Sequence, residues 1–174
     1  LQGCQALAPS IQHAHKFALE NWIDQYQRNL GIALTDIFGL DYFLKDFDRN
    51  LAKRYIGVRH DSGDPFIFAK KMLDHYQQLG IDPKTKTLVF SDGLNFEKVK
   101  DLYQEFNNQI NVVFGVGTNL TNDCGYKPLS IVMKMITCND RPTIKLSDSP
   151  GKMMCRDADY VEQIKKMIKS RLEK

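Results

Sequence analysis

Short apolar runs that end in polar, glycine-bearing turns recur along this chain, and most of the turns lead into a helical period. Residues 55–58 run into Arg59-His60-Asp61-Ser62-Gly63-Asp64, after which Pro65 opens a helix with Phe66, Ala69, Leu73 and Tyr76 along one side. Thr87–Phe90 runs into Ser91-Asp92-Gly93, followed by a helix with Phe96, Val99, Leu102 or Tyr103, and Phe106 on its inner face. Asn111–Phe114 runs into Gly115-Val116-Gly117-Thr118-Asn119, and an earlier strand at residues 32–35 ends at Asp36. Strand–helix alternation over short links predicts parallel strands with helices outside, in an open sheet or a barrel. The strand patterns are too few to close an eight-stranded barrel, so the expectation is a small open sheet or part of a barrel. Three strands deliver acids, hydroxyls and glycines to one rim, where α/β proteins keep their chemistry.

The flanking segments read differently. Ser10 is expected to cap a helix carrying Ile11, Ala14, Ala18, Trp22 and Tyr26, stopped near Gly31, and a weaker helical pattern covers residues 40–51. After Thr121, residues 129–137 and 142–146 predict two antiparallel strands joined around Cys138-Asn139-Asp140-Arg141. A closing helix spans residues 157–172, with Tyr160, Val161, Ile164 and Ile168 inward and Lys165, Lys166, Lys169 and Arg171 on a solvated face. At 174 residues and 43% hydrophobic content the chain can build one core. The net charge of +3 is dispersed and gives no reason to expect a nucleic acid partner. No apolar run is long enough to span a membrane and no leader pattern is present, so no membrane partner is expected. The cysteines at 4, 124, 138 and 155 lack the spacing of a zinc or redox motif, which predicts reduced thiols and a cytoplasmic location.

The polar turns suit a phosphorylated, metal-bound substrate. Asp61 and Asp64 lie three apart across a Ser-Gly turn, Asp64 also being placed to cap the following helix. Arg59 can grip phosphate or carboxylate with two prongs. Asp92 is a candidate for ribose hydroxyls or metal waters, and the Gly117-Thr118 turn offers backbone amides to a phosphate, though without the lysine of a P-loop. His60 stands in the polar rim and is a candidate substrate contact, as are Ser62 and Gly93. Lys145-Leu146-Ser147-Asp148-Ser149-Pro150-Gly151-Lys152 reads either as a loop that closes over an anion, with Lys145 and Lys152 as its contacts, or as a plain surface turn. No residue is assigned as a direct metal ligand, and no Ser-His-Asp or Cys-His arrangement supports acyl transfer.

Taken in order, Gly31-Ile32-Ala33-Leu34-Thr35-Asp36, Phe43-Leu44-Lys45-Asp46-Phe47, the 59–65 motif, Gly80-Ile81-Asp82-Pro83, Lys86-Thr87-Leu88-Val89-Phe90-Ser91-Asp92, Phe114-Gly115-Val116-Gly117-Thr118 and the 145–152 loop resemble the C-terminal part of bacterial nicotinate phosphoribosyltransferases. The resemblance covers essentially the whole chain, which is less than half of a full family member. It implies part of an irregular TIM-like α/β barrel, of the type II phosphoribosyltransferase kind, with a C-terminal hairpin and helix. It further implies that residues 1–174 are a C-terminal fragment of that domain, weakly stable or self-associating alone, with the N-terminal half of the enzyme absent. Members of the family are oligomeric. They join nicotinate to phosphoribosyl pyrophosphate, giving nicotinate mononucleotide and pyrophosphate for NAD synthesis, with ATP as co-substrate and Mg²⁺ on the pyrophosphate. Through the resemblance, Arg59 and Asp61 fall at the ribose and pyrophosphate site, Asp92 is the second acid, and Gly117 and Thr118 receive the 5'-phosphate. Asn119 stands where related enzymes often carry Arg. The phosphorylated histidine of the family, in a Gly-Thr-x-x-His-Glu-Trp segment, matches none of His13, His15, His60 or His75 and is expected just upstream of Leu1. Alternatives are a nicotinamide- or quinolinate-using relative, or a noncatalytic module that binds sugar phosphates.

Overall fold

The computed structural model describes residues 1–129, 131–149 and 151–173. A one-turn helix α1 (Cys4–Leu7) and a 3-10 turn at Ile11–His13 precede α2 (Ala14–Tyr26). Strand β1 (Ile32–Leu34) leads to α3 (Leu40–Asp46) and α4 (Arg49–Arg54). Then come β2 (Gly57–His60), α5 (Pro65–Gln78), β3 (Thr87–Phe90), α6 (Phe96–Phe106), β4 (Asn111–Phe114) and the short α7 (Thr118–Thr121). The chain ends with an antiparallel pair, β5 (Thr137–Cys138) and β6 (Arg141–Pro142), and α8 (Ala158–Leu172).

Strands β1 to β4 pair in parallel and in sequence order. A doubly wound sheet reverses its order at a switch point; this one does not. Each crossover steps in the same direction, and right-handed connections then put the helices on one face. The sheet is therefore an arc of an α/β barrel. Ala33, Val58 and Leu88 share a register level and are buried, with Phe90, against Ile23, Leu51, Phe68, Met72, Leu102 and Phe106 of the helical layer. Leu34, Arg59, Val89 and Val113 share the next level and face the other way, and Val113 is 50% exposed. Gly57 holds β2 and β3 close together, since a Cβ there would lie 2.1 Å from the Thr87 carbonyl oxygen.

The C-terminal segment packs back over this arc. Ile144, Val161 and Ile164 form a second core with Ile37, Phe38 and Tyr42. The Gln5 side-chain amide donates to Ile144 O at 2.6 Å and accepts from Ile144 N at 2.8 Å, a two-bond splice between α1 and the strand-like residues after β6. Arg171 of α8 pairs with Asp46, a fully buried carboxylate, donates to the Tyr42 hydroxyl at 2.6 Å and to Gln12 O at 2.7 Å, and lies 4.6 Å over the Tyr42 ring. His15 Nδ1 stands 3.3 Å from the other Asp46 oxygen.

Several expectations need correction. The inner face of α2 is Ala14, His15, Ala18, Leu19 and Ile23, while Trp22 and Tyr26 are exposed and lie against each other instead, their rings tilted by 49°. Ser10 does not cap by its side chain; it meets His13 Nδ1 at 2.8 Å. The expected helix over 40–51 is two helices, because Asp48 accepts from Leu51 N and starts a new one. Strand β2 begins at Gly57 rather than at residue 55, since Tyr55 turns inward to donate to Leu19 O. The long strands expected over 129–137 and 142–146 shrink to β5 and β6; Leu129, Ile131, Val132 and Met133 are exposed and irregular, and Ser130 lies outside the described residues. Alternation alone does not make a strand where no partner or core face receives it.

Two stability outcomes follow. Gly57→Ala should cost about 3 kcal/mol, the upper range for overpacking, because the obstructing atom is a ladder carbonyl. Gly93→Ala, at φ 58° with open space around it, should cost only about 1 kcal/mol. Equal costs in urea unfolding would contradict the close β2–β3 approach. Arg171→Met should cost about 3 kcal/mol by leaving Asp46 buried and uncompensated, and Asp46→Asn in the same chain should recover most of it. A loss below about 0.5 kcal/mol would place Arg171 among ordinary surface residues.

Candidate functional site

The C-terminal ends of three of the four parallel strands carry an acid. Asp36 lies just beyond β1, Asp61 beyond β2 and Asp92 beyond β3. Because the strands are parallel and in order, the three tips stand side by side on one rim. Like charges so placed repel unless cations come between them. The 145–152 loop brings those cations. Lys145 Nζ sits 2.8 Å from Asp36 Oδ2 and 2.9 Å from Asp61 Oδ2. Lys152 Nζ donates to Asp61 O at 2.8 Å and to Asp92 Oδ1 at 2.5 Å. Arg59, on the open face of β2, reaches Asp61 Oδ1 at 2.8 Å. Acids and lysines thus alternate along the rim.

Hydrogen bonds fix the loop that carries the lysines. Leu146 N donates to Ile37 O at 2.9 Å. Ser147 Oγ donates to Asp36 Oδ2 at 3.3 Å, and Ser62 Oγ donates to the same oxygen at 2.9 Å. Asp148 N donates to Ser62 Oγ, Leu40 N donates to Asp148 Oδ2, and Gly63 N donates to Ser149 Oγ. The loop is a strap laid over β1 and β2. The plain-surface-turn alternative does not describe it. Pro150 lies outside the described residues.

The electrostatics follow from partial burial. Burial works against the Lys145 ammonium, but its bonds to Asp36 and Asp61 outweigh that and hold its pKa above the ordinary lysine value. Burial likewise pushes the Asp61 carboxyl up, and Lys145 and Arg59 overcome it and keep it below the ordinary aspartate value. Both groups are therefore charged near neutral pH. A cavity of about 520 Å³ opens beside them, lined by Arg59, Asp61, Lys145 and Lys152 together with Leu34, Ile37 and residues 132–134. A second cavity of about 460 Å³, largely apolar, lies between α2 and β1, and Arg59 lines it too.

The structure gathers Arg59, Asp61, Asp92, Lys145 and Lys152 into one cluster. Ser62 is buried and ties Asp36 to the strap rather than opening to the cavity. His60 is not at the rim: it is 1% exposed, lies among Phe68 and Phe90, and meets Gly63 O at 3.2 Å. Burial lowers its pKa. Its strand position turns it to the helix side, one step from outward-facing Arg59. Gly93 is a left-handed turn residue whose carbonyl accepts from Lys98 Nζ. Gly117 and Thr118 are exposed at the tip of β4, and no hydrogen bond among the described residues joins them to the charged cluster. Asn119 holds Leu94 O at 2.7 Å. Asp64 caps α5, accepting from Phe66 N and Ile67 N. Asp36 is absent from the expected site residues. The signal for it was available, since it follows an apolar strand as Asp61 and Asp92 do. The individual roles of Ser147, Asp148 and Ser149 are long-range contacts that no local pattern displays.

Known proteins resemble this chain in sequence and fold along almost its whole length. The profile of the nicotinate phosphoribosyltransferase (NAPRTase) family matches residues 1–171. Nicotinate phosphoribosyltransferase of Burkholderia ambifaria is 52% identical over 168 residues, covering 97% of this chain and 42% of that protein. The Ralstonia nicotianae enzyme of the same name is 51% identical, covering 97% of this chain and 43% of its own length. The chain thus spans about 42% of the length of the curated relatives it matches. The crystal structure of the Vibrio cholerae nicotinate phosphoribosyltransferase superposes with a TM-score of 0.92 at 45% identity, over 97% of this chain and 42% of that one. That of Porphyromonas gingivalis gives 0.83 at 36%, over 90% and 42%. The profile match over residues 1–171 and the superposition at 45% identity agree, and this chain belongs to the nicotinate phosphoribosyltransferase family.

Proposed function

We propose that this chain is the phosphoribosyl-side portion of the barrel domain of a nicotinate phosphoribosyltransferase. The observation that carries the reading is the acid–lysine alternation across three neighbouring strand tips, in a chain whose whole length matches that family. The reaction would join nicotinate to phosphoribosyl pyrophosphate. The bond from the ribose C1 to the pyrophosphate oxygen breaks, the bond from C1 to the pyridine nitrogen forms, and pyrophosphate leaves with the electron pair. In this reading Lys145, Lys152 and Arg59 hold the anionic leaving group, and Asp61 and Asp92 face the positive charge that develops at C1. Gly117 and Thr118 present amides to the 5'-phosphate. Orientation and electrostatics supply most of such a rate enhancement, so no strong nucleophile is called for.

The base-side wall and the phosphorylated histidine that couples ATP hydrolysis belong, in this reading, to the rest of a longer, oligomeric and cytoplasmic enzyme. Among the described residues no group of three or more His, Cys, Asp or Glu is placed to hold a metal ion. Asp61 and Asp92 also already face lysines. The residues do not fit a cage of protein ligands, and no step is assigned to a metal bound by them. Mg²⁺ would enter on the oxygens of the pyrophosphate itself, which suit a hard cation. No helix among the described residues is long and apolar enough to cross a membrane.

The reading is tested by assaying the full-length enzyme with each pyridine base and phosphoribosyl pyrophosphate. Product is expected from nicotinate; product from nicotinamide or quinolinate alone would reassign the base. No product from any base, with phosphoribosyl pyrophosphate still bound, would favour a sugar-phosphate-binding module.

A second test separates site from scaffold. Asp61→Asn should lower turnover by about 10²–10³-fold, or about 2.7–4 kcal/mol by analogy with loss of one oxyanion donor, with a smaller change in substrate affinity. Asp64→Asn should leave activity near the parent level, because Asn caps a helix nearly as well as Asp. Unchanged turnover in Asp61→Asn would remove it from the catalytic assignment.

A further inference from the structure

Asp36 does not line the cavity, yet more of the strap converges on it than on any other rim carboxylate. It is 1% exposed. Its Oδ2 receives Ser62 Oγ at 2.9 Å and Ser147 Oγ at 3.3 Å, and Lys145 Nζ stands 2.8 Å away. Its Oδ1 is buried and has no hydrogen-bond partner among the described residues. A buried carboxylate half satisfied in this way is costly unless its charge is used. The charge faces one cation, Lys145, whose side chain is only 11% exposed and whose other partner is Asp61.

Lys145 alone would have no reason to stop between the two strand tips. A lysine has a long, freely rotating stem and a point charge that accepts many geometries. With Asp61 as its only partner the ammonium would be free to swing around that carboxylate. A second, deeply buried carboxylate on the adjacent strand restricts it to the line between them, where Asp61 Oδ2 is 2.9 Å away.

We infer that Asp36 is a positioning residue: it fixes the Lys145 ammonium at the wall of the phosphoribosyl cavity. This rests on the function proposed above for the cavity, but the Asp36–Lys145 coupling is measurable without it. The charged and titratable groups around Lys145 are Asp36 beyond β1, Asp61 in the turn after β2, Arg59 paired with Asp61, and Asp148 and Lys152 of the strap itself. The raised pKa of Lys145 accords with two carboxylates sharing it.

Asp36→Asn suits the test. An amide oxygen can keep the hydrogen bonds from Ser62 and Ser147, while its NH₂ occupies the unpartnered Oδ1 position, so chiefly the charge is lost. In the full-length enzyme, lysine acetylation by acetic anhydride is followed against pH by mass spectrometry, with exposed Lys165 as internal reference. In the parent, Lys145 should react at least about tenfold more slowly than Lys165 near about pH 9; in Asp36→Asn its rate should rise about tenfold, the equivalent of one pKa unit. The KM for phosphoribosyl pyrophosphate should rise about tenfold with kcat changed by less than about threefold, the reverse of the pattern expected for Asp61→Asn. A merely structural residue would shift the melting temperature without that split or the change in Lys145 reactivity. An unchanged Lys145 profile in Asp36→Asn overturns the inference, whatever the activity. If the variant does not fold, the parent decides: Lys145 as reactive as Lys165 overturns it. Failure of the parent to make any mononucleotide would overturn the proposed function and leave the coupling result standing.

Discussion

Lys145 must satisfy two carboxylates at once, and the form of the rim depends on its doing so. Parallel strands in sequence order place the tips of β1, β2 and β3 beside one another, and each tip carries an aspartate. Left alone, three acids on neighbouring tips would repel or protonate. Lys145 and Lys152, with Arg59, turn repulsion into an alternating row of charge. The row is neutral as it stands, three acids against three bases. An anion that enters must therefore compete for cations already engaged, and in drawing them off it unmasks the carboxylates. Partial burial strengthens each of these contacts and makes each unpaired charge expensive, so the row holds or yields as a unit.

The sheet supplies the other half of the geometry. Its strands alternate, so Val58 and His60 face the helices while Arg59 faces the open side. That alternation sends His60 into an aromatic pocket and leaves Arg59 beside both the polar and the apolar cavity. A one-residue slip of β2 would exchange them. Gly57, at the base of the same strand, lets β3 come close enough for the ladder to form, and so helps to hold the register on which the site depends.

Much of this was legible in the sequence. Pro65 after Asp64 announces a capped helix, and the acids after apolar runs announce the rim. What stayed hidden was of two kinds. At some residues a tertiary signal overrides a local one: Trp22 and Tyr26 fit the helical stripe, but the stripe that finds a core runs through Leu19 and Ile23. His60 looks polar and available in a string of polar residues, yet strand alternation buries it. Others have no local signal at all. Nothing near residue 36 says that Ser147 and Lys145 will arrive there, more than a hundred positions later. The composition of the 145–152 loop offered an anion-closing loop or a plain surface turn, and in neither case which carboxylate would hold it.

The splice between Gln5 and Ile144 joins residues 139 positions apart, and Arg171 reaches Gln12 across 159. On a ribosome these contacts have no second partner until almost all of the chain has emerged. The β–α units from β1 to β4 can pair as they appear, since each needs only its immediate predecessor, but α1 and the rim must wait. Synthesis thus imposes an order in which scaffold precedes site. The nascent arc carries Asp36 and Asp92 at its tips without their lysine partners, and Asp61 with Arg59 alone, for the time it takes to translate from Asp92 to Lys145.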